Sequence, residues 1–249
     1  MIRKIFGAVY LVYGLLMFIV TMLVVIIPIW IISLLPEPYR ARAIHPVFRL
    51  WMGVFMLLIF CPVVRRGKKY FAKGQNYVVV INHNSYMDIP VSSPWIPGPN
   101  KTLGKIEMTK VPLFGLIYKA GAIIIDRKNQ DSRRESFSKM QDTLSKGIHL
   151  CLYPEGTRNK TDKPLQPFYD GAFITAIKTQ TPIIPGILLN TKKVLCQKNI
   201  LLTRPSVIYF HFLEPIPTKG LTLEDLSSLK SKVHDLMESY YVNNKNKFA

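Results

Sequence analysis

A histidine and an aspartate, His83 and Asp88, lie five positions apart, just after a β-branched run at residues 77–81. A carboxylate can hold one imidazole nitrogen and fix the tautomer, which leaves the other nitrogen to take a proton from a hydroxyl. Positions five apart do not share a helical face. We therefore expect His83 in a loop and Asp88 near the start of a helix, a boundary that Pro90 tolerates. The alternative for an isolated pair is a surface histidine beside a helix cap.

Four further runs follow in the chain, and each alone is a weak signal because short patterns recur by chance. They are Gly104-Lys105-Ile106-Glu107 (followed by Pro112 and Gly115), Gly121-Ala122-Ile123-Ile124-Ile125-Asp126-Arg127, Tyr153-Pro154-Glu155-Gly156-Thr157-Arg158 and Pro182-Ile183-Ile184-Pro185. Their meaning depends on the elements that carry them.

Those elements alternate between strand and helix. Short β-branched or aromatic runs predict strands at residues 77–81, 121–126, 149–153, 183–189 and 207–213. Apolar residues at helical spacing predict helices at residues 132–146 and 171–178 and a last helix with Thr222 as N-cap and Asp225 three positions later. The pattern predicts an α/β domain over residues 65–249, with a mixed, largely parallel sheet covered by helices.

The first 64 residues form a different kind of region. Residues 5–35 contain no charge, which is longer than the roughly 20 residues that span a bilayer. A buried soluble helix and a cleaved signal peptide are the alternatives, and the length disfavours both. A second apolar stretch, residues 50–64, follows a basic connector with Arg40, Arg42 and His45. The sequence therefore predicts a membrane-embedded helical hairpin over residues 1–64, which either dips into one leaflet with a kink near Pro28 or makes two full spans.

Charge and cysteine usage narrow the partners and the compartment. A net charge of +18 and a pI near 9.9 suit nucleic acid, an anionic membrane surface or a phosphorylated substrate, and the hairpin favours the membrane. Three cysteines in mainly apolar contexts indicate a reducing compartment, with Cys151 a core residue. No cluster of ligands predicts a metal site. We expect a protein at the cytoplasmic face of the inner cell membrane.

In their order and spacing, the motifs at residues 76–190 resemble those of the glycerolipid acyltransferases, in particular the bacterial type of 1-acylglycerol-3-phosphate acyltransferase. The resemblance implies transfer of an acyl group from acyl-CoA or acyl-carrier protein to the free sn-2 hydroxyl of 1-acylglycerol-3-phosphate, which forms phosphatidic acid. It implies no resident cofactor and no metal. The expected partners are the lysophosphatidic acid acceptor, the acyl donor and an anionic membrane surface, without nucleic acid.

The resemblance also implies roles for individual residues. His83 matches the general base and Asp88 its partner; the hydroxyl attacks the thioester directly, although Ser85 beside His83 is an alternative nucleophile. An arginine fork suits phosphate oxygens. The expected phosphate site comprises Arg158, Thr157, Gly156, Glu155, Lys105 and Arg127. Glu155 is expected to orient Arg158 or to contact the glycerol hydroxyl.

One motif departs from the family pattern. Many relatives have Phe-Lys-x-Gly after the third motif, whereas this chain has Phe168-Tyr169-Asp170-Gly171. Asp170 either weakens binding of a phosphate monoester or points away at the start of the next helix. Two alternatives therefore stay open: an acyltransferase for another lysolipid, and a non-catalytic, basic, membrane-associated lipid-binding protein.

Overall fold

The computed structural model describes residues 1–126, 128–196 and 199–248. Its strands are β1 (Val63–Arg66), β2 (Val78–Ile81), β3 (Asn100–Lys105), β4 (Ala122–Ile125), β5 (His149–Leu152), β6 (Ile183–Leu189) and β7 (Ile208–Phe212). Its α-helices are α1 (Ile2–Ser33), α2 (Tyr39–Leu58), α3 (Asp88–Trp95), α4 (Phe114–Gly121), α5 (Gln130–Ser145), α6 (Gly171–Thr179), α7 (Thr191–Val194) and α8 (Leu226–Asn244). Short 3₁₀ turns include Ile200–Leu202 and Leu223–Asp225.

The strands form one seven-stranded sheet in the order β1-β7-β6-β2-β5-β3-β4. Strands β6, β2, β5, β3 and β4 all run parallel, while β7 is antiparallel to β6 and parallel to β1. The predicted mixed, largely parallel sheet is confirmed. The carboxyl ends of the five parallel strands therefore meet at one edge.

Both faces of the sheet are covered, because side chains along a strand alternate between the faces. Val79 and Ile81 face one apolar core, which also contains Trp51 and Phe55 of α2. Val78 and Val80 face a second core, which contains residues of α5, α6 and α8. The central strand is thus buried on both sides, which holds the loop that follows it in a fixed position.

Two strands, β1 and β3, were not predicted from the sequence. β3 opens with Asn100, Lys101 and Thr102, which lack the apolar signature of a buried strand. Lys101 is nonetheless buried, and its ammonium lies 2.5 Å from Glu37 in the connector between α1 and α2. An ion pair with a residue far away in the sequence thus offsets the burial of this charge.

Helices α1 and α2 form an antiparallel hairpin, and each is long and apolar enough to cross a membrane. Tyr10 donates to the Ile59 carbonyl oxygen (2.7 Å), and the indole of Trp51 donates to Thr21 (3.0 Å). α2 begins earlier than predicted, because the expected connector residues Arg40, Arg42 and His45 lie inside it. The sheet also begins at Val63, before the predicted domain boundary.

α2 is also hydrogen-bonded to the segment at the end of α3. The His45 ring is hydrogen-bonded through Nε2 to the Ile96 carbonyl oxygen (3.0 Å), and Arg49 donates to the carbonyl oxygens of Pro94 (2.9 Å) and Ile96 (3.0 Å). The polar residues of this helix thus have partners at the end of α3. The hairpin is thus joined to the segment at the end of α3.

Candidate active site

The predicted site residues gather at the carboxyl edge of the parallel strands. His83 follows β2, Lys105 ends β3 and the Glu155 motif follows β5. β2 and β5 are neighbours, whereas β3 lies one strand further on. The structure therefore brings the first and third motifs into contact. Arg127 lies outside the described residues.

The His83 and Asp88 side chains meet as predicted, with Nδ1 and Oδ2 2.8 Å apart. His83 lies in the loop after β2, and Asp88 is the first residue of α3. The same carboxylate oxygen accepts the backbone N–H of Ser85 (2.7 Å) and of Asn84. Asp88 is fully buried, so these donors stabilise its charge and fix its orientation.

An acceptor at Nδ1 requires a proton on that nitrogen, which leaves Nε2 with a lone pair. Nε2 has no hydrogen-bond partner among the described residues, and the His83 side chain is 14% exposed. The ring stacks on Tyr153 with centroids 4.2 Å apart. The imidazole is thus held on one face and at one nitrogen, with the other nitrogen open to accept a proton.

Tyr153 is itself held beneath the imidazole. Its hydroxyl and that of Ser92 are 2.6 Å apart, and the Cys151 thiol lies 3.6 Å from the Ser92 oxygen. Burial raises the pKa of the Tyr153 phenol well above its usual value and that of the Cys151 thiol to about 12. Both groups therefore stay neutral near pH 7, which suits a supporting role.

Ser85 is placed differently from a nucleophile. It is fully buried, its hydroxyl donates to the Leu195 carbonyl oxygen (2.9 Å), and its oxygen accepts the N–H of Met87 (3.1 Å). Both hydrogen-bonding capacities of the hydroxyl are engaged in fixing the loop.

Glu155 accepts hydrogen bonds from two backbone amides, one of which lies in the His83 loop. One carboxylate oxygen accepts the N–H of His83 (2.7 Å), and the other accepts the N–H of Gln166 (2.9 Å). Burial raises the pKa of this carboxyl to about 7, against the lowering effect of the two N–H groups. The sequence predicts that Glu155 orients Arg158 or contacts the glycerol hydroxyl, whereas in the structure its carboxylate accepts hydrogen bonds from these two backbone amides. We call it a positioning residue.

Asn159 binds the backbone of the same residue, at the carbonyl oxygen of His83, and it was not predicted from the sequence. Its backbone N–H donates to the His83 carbonyl oxygen (2.7 Å). Its side-chain oxygen accepts from the N–H and hydroxyl of Thr161, and its amide donates to the Lys163 carbonyl oxygen. Asn-x-Thr is a turn signal, and this was the available sequence clue.

Arg158 lies above the loop, half-buried, with its guanidinium carbon 3.3 Å from the centroid of the Tyr86 ring. It makes no ion pair with any acidic residue in the described part of the chain. Stacking occupies the face of the guanidinium and leaves its N–H edges to meet an anion. This geometry suits the predicted recognition of phosphate.

A glycine, Gly156, lies two residues before Arg158 in a left-handed backbone conformation. Gly156 has φ +66°, and a Cβ there would lie 2.7 Å from the ring of Tyr169. Thr157 beside it is exposed. Glycine is therefore required at position 156 for both the left-handed backbone and the close approach.

Two further predictions can be located. The side chain of Lys105 is exposed at the same sheet edge, and its backbone N–H donates to the Tyr118 hydroxyl (2.8 Å). Neighbouring strands are spaced by about 4.8 Å, so β3, which carries Lys105, lies about 10 Å from β2, which precedes His83. Asp170 pairs with Lys230 of α8 at 2.6 Å, which corresponds to the predicted alternative in which this acid points away.

Comparison with known proteins gives concordant results. A family model described as acyltransferase matches residues 62–188. The 1-acyl-sn-glycerol-3-phosphate acyltransferase alpha of Homo sapiens is 33% identical over 193 residues, which are 77% of this chain and 68% of that protein. The 1-acyl-sn-glycerol-3-phosphate acyltransferase of Haemophilus influenzae is 28% identical over 190 residues, 76% of this chain and 78% of that protein.

A solved structure shares the fold. The crystal structure of the 1-acyl-sn-glycerophosphate (LPA) acyltransferase from Thermotoga maritima aligns with a TM-score of 0.81, at 21% identity, over 98% of each chain. The fold predicted from the sequence is therefore confirmed over nearly the whole length.

Proposed function

This chain belongs to the acyltransferase family, and from that premise we propose that it acylates the free sn-2 hydroxyl of 1-acylglycerol-3-phosphate to form phosphatidic acid. The proposal rests on the His83 imidazole, whose Nδ1 lies 2.8 Å from Oδ2 of Asp88. The loop of His83 is hydrogen-bonded to the loop that carries Arg158. The relatives are named for this acceptor. A base and an anion-binding group together suit a phosphorylated alcohol.

In the proposed reaction, Nε2 of His83 takes the proton of the acceptor hydroxyl as its oxygen attacks the thioester carbonyl carbon. A C–O bond forms, the C–S bond breaks, and the departing thiolate receives the proton from the imidazolium. General-base assistance of this kind contributes about 10²- to 10⁴-fold in rate. The buried Asp88 carboxylate stabilises the imidazolium that forms. The thioester supplies an activated acyl group, so the reaction needs no resident cofactor.

The acceptor phosphate binds Arg158 in this proposal. The guanidinium stacks on Tyr86, which orients its N–H edges before the ligand arrives and lowers the entropic cost of binding. Thr157 donates its hydroxyl, and Gly156 allows the Tyr169 ring to lie close to the backbone beside Arg158. Lys105 at the end of β3 adds positive charge, and Arg127 is assigned the same role from the sequence alone.

The reaction takes place at the cytoplasmic face of the membrane, with the hairpin dipping into one leaflet. Supporting this topology, the connector residue Glu37 pairs with Lys101 of β3 at 2.5 Å, and α2 is hydrogen-bonded to the end of α3. A connector bound to the sheet cannot lie across a bilayer from it. Labelling of a cysteine at position 40 from the far side of the membrane would contradict this arrangement.

The experiment that tests the function pairs acyl-CoA and acyl-carrier-protein donors with phosphorylated and neutral lysolipids in purified membranes. We expect product with lysophosphatidic acid, and a loss of at least about 100-fold in His83→Ala. His234→Ala is the matched control, since that histidine of α8 packs against Phe168 and is not one of the residues that we assign to proton transfer or phosphate binding. Unchanged turnover in His83→Ala, or a preference for a neutral acceptor, would overturn the proposal.

A further inference from the structure

Beyond the hairpin, the catalytic part carries a short apolar turn that its own core does not use. Ile200, Leu201 and Leu202 are consecutive and are 48%, 37% and 45% exposed. They form the 3₁₀ turn Ile200–Leu202 between α7 and β7. A run of exposed apolar residues on a soluble surface is unfavourable unless it meets another apolar phase.

This turn is attached to the start of the membrane helix. Gly7 of α1 is buried against it so closely that a Cβ on Gly7 would overlap the carbonyl oxygen of Leu201. The neighbouring side chains Ile5 and Phe6 are exposed. The exposed turn and the exposed start of α1 are therefore parts of one adjoining apolar region.

Basic residues border this region. Lys192 and Lys193 lie in α7, before the turn, and Arg204 follows it, with its backbone N–H donating to the Lys193 carbonyl oxygen (3.0 Å). Arg3 and Lys4 lie at the start of α1. An apolar centre with a cationic border is the pattern of a surface that inserts among anionic lipid headgroups.

The same segment reaches the active site. The Leu195 carbonyl oxygen accepts the Ser85 hydroxyl (2.9 Å), and Ser85 lies in the loop that contains His83 and Asp88. A membrane contact at the turn would therefore lie only five residues along the chain from a residue that is hydrogen-bonded to the His83 loop.

We propose that Ile200–Leu202 inserts into the lipid surface that receives α1 and forms a second membrane contact, one that belongs to the catalytic part and presents the active site to lipid-borne acceptor. This inference rests on the membrane location in the proposed function. It is independent of which acyl acceptor the enzyme uses.

The direct test places an environment-sensitive fluorophore on Leu202→Cys in the full chain, with Cys196→Ser to remove the partly exposed thiol; Cys61 and Cys151 are buried. The protein is reconstituted in vesicles of phosphatidylglycerol and phosphatidylcholine, with and without lipid spin-labelled on the acyl chain. Leu223→Cys is the matched control, since Leu223 is 51% exposed on another 3₁₀ turn.

We expect blue-shifted emission and quenching by the spin label at position 202 and neither at position 223. Equal quenching at the two positions, or none at 202, would overturn the proposal. Because this readout needs no turnover, it decides the membrane contact even if the proposed acyl acceptor is wrong.

A kinetic test addresses the orientation. The double variant Ile200→Gln/Leu202→Gln is compared with Leu223→Gln on long-chain acceptor in vesicles and on short-chain acceptor below its critical micelle concentration. We expect about a tenfold loss of kcat/KM on vesicles only, as two inserted side chains are removed. Equal losses on both acceptors, or no loss on either, would contradict the orienting role.

Discussion

His83 and Arg158 lie in two loops that are joined by the hydrogen bond from the Asn159 N–H to the His83 carbonyl oxygen, yet the two side chains are held in opposite ways. The backbone of His83 is hydrogen-bonded through its N–H to Glu155 and through its carbonyl oxygen to Asn159. The imidazole ring of His83 is hydrogen-bonded to Asp88. Arg158 is half-buried and its guanidinium rests on one exposed ring, that of Tyr86. If the proposed roles hold, the proton-transfer group is fixed by several contacts, while the anion-binding group has fewer contacts and can adjust to its ligand.

The largest expected effect comes from breaking the fixed half. In Asp88→Asn the side chain no longer stabilises an imidazolium and its amide can hold the wrong tautomer of His83. We expect kcat to fall by about 10²- to 10⁴-fold with little change in KM. Steady-state kinetics check this, with Asp170→Asn as the control because that acid pairs with Lys230 on the surface. A change mainly in KM would contradict the assignment.

Removing the adjustable half should change binding first. Arg158→Ala removes the guanidinium that we propose contacts phosphate. We therefore expect kcat/KM for the phosphorylated acceptor to fall by about 30-fold, mostly through KM, with a smaller loss in Arg158→Lys. Arg134→Ala on the exposed face of α5 is the control. Equal losses on phosphorylated and neutral acceptors would argue against a phosphate contact.

Glu155→Gln tests how the fixed half is positioned. A glutamine places an amide donor opposite one of the two backbone N–H groups, and we expect about a tenfold loss of kcat with KM retained. An unchanged kcat in a folded variant would show that the hydrogen bond from the His83 N–H to the Glu155 carboxylate is not needed for activity.

The same residue predicts a pH dependence of stability. The pKa of Glu155 is raised from 4.5 to about 7 by burial, so the folded state binds a proton more tightly than the unfolded chain does. The free energy of unfolding should therefore fall as pH rises from about 4.5 to about 7 and then level off. Urea unfolding checks this, and the slope should be smaller in Glu155→Gln and unchanged in Glu135→Gln, whose carboxylate is exposed.

Asn159→Ala should have a smaller effect, since its backbone N–H to His83 remains while the side-chain network of the turn is lost. We expect about a fivefold loss of kcat and a fall of about 1–2 kcal/mol in the free energy of unfolding. Asn159→Asp keeps the acceptor for Thr161 and should recover part of both losses. If Asn159→Asp recovered neither kcat nor stability, the side-chain network of this turn would not be what positions His83.

The smallest expected effect is that of Tyr86→Leu. A cation–π contact at an exposed site contributes about 0.5–1 kcal/mol, so KM for the phosphorylated acceptor should rise about two- to fivefold at constant kcat. Acceptor titrations measure this. A larger effect on kcat would place Tyr86 with the fixed half of the site.

The sequence predicted the local part of this site well. His83 and Asp88 are close in the chain, so the loop and the start of α3 alone bring them together. The backbone contacts of Glu155 and Asn159 were not predicted, because a peptide N–H or carbonyl has no signature in the sequence. These contacts depend on β2 and β5 being neighbours in the sheet.

For the fold too, features set by neighbouring residues were predicted and features set by distant residues were not. β6 was predicted at its observed bounds, because its seven residues are all buried and apolar apart from Pro185 and Gly186. β3 was missed because its polar residues are compensated by distant groups, such as Glu37 for Lys101. Patterns of neighbouring residues cannot carry information about such partners.

The ion pair between Glu37 and Lys101 has a practical consequence for protein production. A shortened chain that starts after residue 64, made to avoid detergent, would leave the buried Lys101 ammonium without its carboxylate and would uncover the apolar surface that Trp51 and Phe55 protect. Such a chain should aggregate on expression. Solubilising changes are better made on the exposed side of α1, where the side chains of Val12 and Leu16 are 68% and 52% exposed.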